Sequence, residues 1–144
     1  MVAYNKINQF TEDLGKKVHD LSLDALTFAL TTMALKPTAA STQLSGLTQI
    51  TYTGLTGNGT GTGGRAPAIT SYTQTSGTAK LILVDLVLTA SATVAAFGAV
   101  TLYNDTSTNK KLIAWWEYGS DVTMLNTETF TLDFDPSAGV LTIL

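Results

Sequence analysis

From Phe97 to Leu144 the sequence reads as strand, turn, strand, turn to its final residue. Aromatic and β-branched runs alternate with short clusters of turn formers, a pattern that a helical protein does not produce. The run Leu112-Ile113-Ala114-Trp115-Trp116-Glu117-Tyr118-Gly119 is expected to pair with Phe97–Tyr103 across a turn at residues 104–109. Shorter strands are expected around Val122–Met124, over Glu128–Phe134 and, after Asp135-Pro136, over Val140–Leu144, which keeps the chain's last residues inside a sheet. Upstream, Ala25–Met33 alternates as a strand with one buried face, Ile69–Thr75 reads as a polar edge strand, and Ser76-Gly77 turns the chain. Ala79–Thr89 is apolar on both faces apart from Asp85, which marks a bend, a bulge or an intersubunit hydrogen bond. Together these give about eight antiparallel strands, an all-β fold of β-sandwich or jelly-roll type.

The amino-terminal segment follows a different period. Tyr4, Ile7, Phe10, Leu14, Val18 and Leu21 are spaced by threes and fours and share one face of a helix over Tyr4–Leu21. Gly15 weakens that helix, and the alternative is an extended arm. Residues 1–22 are thus expected to form a helix or arm and residues 23–144 the sandwich. The apolar stripe packs either on the chain's own sheets or on another subunit. Residues 38–53 are ambiguous, with Leu44, Leu47 and Ile50 spaced for a short helical turn. The glycine and threonine tract from Gly54 to Gly64 reads as a mobile loop. It is not a phosphate-binding loop, because Arg65-Ala66-Pro67 follows it where a helix and a Lys-Ser/Thr pair belong.

With 144 residues the chain is one domain with room for a core. Only 13% of residues are charged, about half the usual share, and threonine fills much of the gap. The net charge of −3 and a pI of about 4.8 argue against nucleic-acid binding, which needs a basic surface. From Glu117 onward stand five acids, Glu117, Asp121, Glu128, Asp133 and Asp135, and no Lys or Arg. There is no Cys and one His, so disulfides, thiolate chemistry and multi-histidine metal sites are excluded. No apolar run reaches membrane-spanning length, and the first residues do not form a signal peptide, so synthesis in a cytoplasm is expected. No catalytic site, metal or cofactor is expected. His19 reads as a solvated or capping residue, and Asp133 and Asp135 as turn formers. In the Trp pair, neighbouring strand residues face opposite sides. Trp116, in phase with Leu112, Ala114 and Tyr118, is expected in the core. Trp115, in phase with Ile113 and Glu117, is expected to face outward, toward a partner or a sugar ring.

Three stretches carry a resemblance to a known family. They are Tyr4-Asn5-Lys6-Ile7-Asn8-Gln9-Phe10 with Glu12–Gly15 and Val18–Leu21; Leu26–Thr31; and Leu102–Thr106 with Leu112–Gly119 and Phe130–Asp135. In order and kind they resemble small structural proteins of tailed bacteriophages, encoded close to the major capsid protein, over about half the chain. The Gly-Thr alternation between Gly54 and Gly64 is longer than the glycine-rich loop of that family. The resemblance implies a capsid decoration, or cement, protein. Such a protein is a small sandwich or jelly roll, assembled as a dimer or trimer, that clamps neighbouring major capsid subunits on the outer surface of the virion. Under it, Tyr4, Ile7, Phe10, Leu14 and Trp115 are the expected contacts with the capsid or with a sister subunit. No cofactor, nucleic acid or membrane enters this reading. The alternatives are a tail or fibre component, or a carbohydrate-binding module using Trp115 and Tyr118.

Overall fold

The computed structural model of the chain describes residues 4–144. The fold is mostly β, with ten strands and one α-helix among the described residues. The strands form three antiparallel sheets. The largest runs in the order β1 (Tyr4–Lys6), β8 (Leu112–Val122), β7 (Phe97–Asn104), β2 (Leu26–Thr31). A second holds β10 (Leu141–Ile143), β5 (Thr78–Leu83) and β4 (Ile69–Thr75), with β4 at an edge as its polar sequence predicts. The third holds β3 (Leu55–Gly57), β6 (Leu86–Ala90) and β9 (Thr129–Leu132).

The β7–β8 hairpin forms, but β8 runs on to Val122, where a separate strand over Val122–Met124 was expected; β4 and β5 are joined at Ser76 and Gly77, both at positive φ as a tight two-residue turn requires. The expected strand over residues 79–89 is two strands in two sheets. Asp85 stands at the break, where its Oδ1 accepts from Phe134 N at 2.9 Å and its carbonyl from Asn58 Nδ2 at 3.3 Å. The break also resets the alternation. Leu81 and Leu83 are buried before it, and Leu86, Leu88 and Ala90 after it. Two half-buried strands of opposite phase therefore look, in sequence, like one strand covered on both faces.

The expected helix over residues 4–21 is shorter. Tyr4–Lys6 is a strand paired with Ala114–Trp116, and the helix α1 covers only Asn8–Gly15. Lys17 ends it in the left-handed region (φ 58°), with Val18 N donating to Asp13 O and Lys17 N to Leu14 O, the double bond of a Schellman cap. Ile7 and Phe10 then lie in the same hydrophobic core as Phe28, Leu30, Leu88 and Leu102, so the expected arm and the sheets share one interior.

Strand β2 is buried at all six positions rather than on one face. Its outer edge is closed by the chain between residues 50 and 65. Leu30 O accepts from Ile50 N, Leu30 N donates to Tyr52 Oη, and Phe28 N donates to Arg65 O. Covering an edge this way removes a site for strand-to-strand association. The glycine tract is part of that cover and is tied down. It contains β3, and Thr60 and Ala66 exchange backbone hydrogen bonds at 2.8 and 3.1 Å. Residues 44–46 form the short helical turn that Leu44 and Leu47 suggested.

Candidate docking groove

Strand β8 places the aromatic residues. Its register against β7 slips between Phe97 and Ala99, which pair with Val122 and Glu117, so β8 carries extra residues around Gly119, where φ is +100°. The bulge leaves Tyr118 56% exposed at its rim. Trp116 lies half-buried beside it, edge-on to Tyr4 at 5.8 Å and tilted against Phe28 at 6.0 Å. The opposite wall comes from β9 and the segment after it. Phe130 meets Tyr118 edge-on at 5.6 Å and Phe97 at 5.2 Å, and Phe134 stacks on Phe28 at 5.5 Å. Between these walls runs a groove of about 1160 Å³. Its apolar lining comes chiefly from Tyr4, Trp116, Tyr118, Phe130 and Phe134.

Carboxylates border the groove. Glu117 accepts from Lys36 Nζ at 2.7 Å and from Trp115 Nε1 at 3.2 Å. The lysine first, and the indole second, hold its carboxyl below the usual range. Asp135 accepts from Ser137 N and Ala138 N, which lowers its pKa and makes it the turn former expected from sequence. Asp133 lies exposed between them on the groove wall. Burial raises the Tyr4 phenol above its ordinary value.

Of the residues expected at an interface, Tyr4 lines the groove, 42% exposed. Ile7 and Phe10 are in the core, at 0% and 3% exposure, and have no surface to offer in this fold. Leu14 borders a separate hollow of about 330 Å³ with His19 and Tyr72. The two Trp residues exchange the places expected of them. Trp115 is buried at 7% exposure and Trp116 is the open one. The alternation that set Leu112, Ala114 and Trp116 on one face is broken by a register shift, where Leu112 pairs with Tyr103 and Ala114 with Leu102. Thr101, the cross-strand partner of Trp115, is fully buried, and Lys36 reaches Glu117 on that same side from the segment after β2. That segment is invisible to a local pattern. Phe130 and Phe134 were not expected at the site, although their alternation with Leu132 gave a usable signal for adjacent faces.

His19 is buried rather than solvated. Its Nδ1 faces Asn104 Nδ2 at 3.1 Å, and the same amide nitrogen meets Asp24 Oδ2 at 2.5 Å and Val18 O at 3.2 Å. The knot ties the chain after α1 to the β7–β8 turn. Burial lowers the His19 pKa, while the Asp13 and Asp24 carboxylates oppose that shift. Among the described residues no group of three or more His, Asp or Glu is placed to hold a metal ion, and no helix is long and apolar enough to cross a membrane.

No protein-family model, curated protein or solved structure matches this chain.

Proposed function

We propose that this chain is a structural virion protein that binds the outer surface of a phage capsid and bridges neighbouring major capsid subunits. It acts as a small homo-oligomer, and its three sheets are arranged as a β-sandwich or jelly roll. The observation that carries the reading is the aromatic groove. It offers a large apolar contact surface on which two of the three bordering carboxylates, Glu117 and Asp135, are already engaged in holding strands and a turn, which suits adhesion better than chemistry. Adhesion is all that a cement protein requires, because many modest contacts on a fixed lattice add up through avidity. The low charge and threonine-rich surface support the same reading, and so does the similarity of three sequence stretches to phage decoration proteins.

The carbohydrate-module reading relied on Trp115 with Tyr118. Trp115 is buried, so in that reading Tyr118 would have to act with Trp116 instead.

The test is co-sedimentation of the purified protein with empty shells of the major capsid protein from the same genome. The expected result is saturable pelleting at a fixed ratio to capsid subunits, weakened about tenfold or more by Trp116→Ala, as loss of a central aromatic anchor typically gives. Protein that stays in the supernatant at all shell concentrations, or that pellets only with tails, overturns the proposal.

A further inference from the structure

The groove runs alongside a strand edge that has no partner among the described residues. Strand β9 pairs with β6 on one side only. Which of its backbone groups face the other side follows from β6. Val87 directs both its backbone groups toward β3, its N–H to Asn58 Oδ1 at 2.9 Å and its C=O to Asn58 N at 3.0 Å. Backbone direction alternates along an antiparallel ladder, so Leu86 and Leu88 bond toward β9, to Leu132 and Phe130. Thr129 and Thr131 lie between and beside those pairs. Their N–H and C=O groups therefore point away from β6, along the groove, and both residues are exposed.

An open edge beside an aromatic trough is the arrangement that receives an added strand. Main-chain hydrogen bonds supply affinity, and pockets take every second side chain. Charge narrows the occupant. Glu117, Asp133 and Asp135 line the groove, and the chain carries no Lys or Arg from Glu117 to its end. Lys36 already engages Glu117, and Asp135 is engaged in its turn, which leaves Asp133, in phase with Thr129 and Thr131, to meet a cation on the incoming strand.

We infer that the β9 edge and the groove bind an extended segment of a partner protein, apolar at alternate positions and bearing Lys or Arg at its flanks, as an added β-strand. That this segment belongs to the major capsid protein rests on the function proposed above. The strand-addition site itself does not.

Two arms separate these claims. In the first, the full chain is titrated with a short synthetic peptide alternating Val and Thr between lysines, and with its twin carrying glutamates instead. Tryptophan fluorescence and amide hydrogen exchange report binding. The expected result is protection of the Thr129 and Thr131 amides, with the lysine peptide binding about tenfold or more tightly than its twin and the preference shrinking in high salt. Thr131→Pro should abolish binding while leaving Tm nearly unchanged, because the N–H it removes does not point at β6. Asp133→Lys should reverse the peptide preference. Absence of binding by either peptide, or Thr131→Pro binding like the parent, overturns the inference. In the second arm, Thr131→Pro is tested for co-sedimentation with shells. Loss of pelleting joins the two claims. Peptide binding by a parent protein that ignores shells keeps the strand site and removes the capsid partner. Full pelleting by Thr131→Pro overturns the assignment of the capsid segment to this edge.

Discussion

Asn104 decides how the buried polar knot behaves. Its Oδ1 accepts from Thr106 N and Ser107 N, both at 3.0 Å, which fixes Nδ2 as the donor toward His19 Nδ1. His19 Nε2 is buried without a hydrogen-bond partner, as is Asp13 Oδ2. Desolvation is the largest influence on His19 and lowers its pKa, with Lys111 pushing the same way and Asp13 and Asp24 pushing back. A His lowered in the fold titrates at a higher pH in the unfolded chain, near 6.5. Its contribution to stability is complete above that value and is lost as pH falls toward and through the folded pKa. Thermal unfolding should show Tm falling as the pH drops below about 6.5. His19→Gln should flatten that decline. Glu12, Asp20, Glu117 and Asp135 are all lowered too, but carboxylates titrate near pH 4 and below, well under the onset of this decline. An unchanged slope in the variant would assign the pH dependence elsewhere.

The glycine tract gives the sharpest test at the scale of one element. Gly57 and Gly64 pass backbone against backbone. A Cβ added at Gly64, whose φ is +73°, would stand 2.1 Å from Gly57 O, and one added at Gly57 would stand 2.2 Å from Gly64 O. Gly64→Ala should therefore cost on the order of 3 kcal/mol in denaturant unfolding, since both strain and overlap act. Gly15 meets nothing within 4 Å and ends α1 without a positive φ. Gly15→Ala should stabilise by up to about 1 kcal/mol. Equal effects at the two sites would mean that the tract is not packed as described. The contrast also marks what a sequence conveys. Alternation and turn residues located most strands and the Ser76-Gly77 turn, and singled out Asp85 as irregular, because those signals are local. The packing of Gly57 on Gly64, the cover over Trp115 and the split of residues 79–89 between two sheets depend on contacts distant in the chain or on phase across a break, and local composition carries no trace of them.

Across the whole molecule, the amino-terminal stripe and the groove divide the work. The helical spacing of Ile7 and Phe10 was legible, but its destination was the chain's own interior. Phe10→Ala should cost about 3–5 kcal/mol in unfolding free energy, as loss of a buried aromatic does. Tyr118→Ala, at an exposed rim position, should leave stability within about 1 kcal/mol of the parent and still weaken attachment to shells. A Phe10 variant as stable as the parent would remove the amino-terminal segment from the core. The central claim, attachment to the outside of a capsid through the groove, is tested most directly by electron cryomicroscopy of shells incubated with the protein. The account requires density for this chain on the outer surface, repeated with the lattice, with Trp116, Phe130 and the β9 edge turned toward capsid subunits. Density confined to the tail, or a decorated shell in which the groove faces solvent, would contradict it.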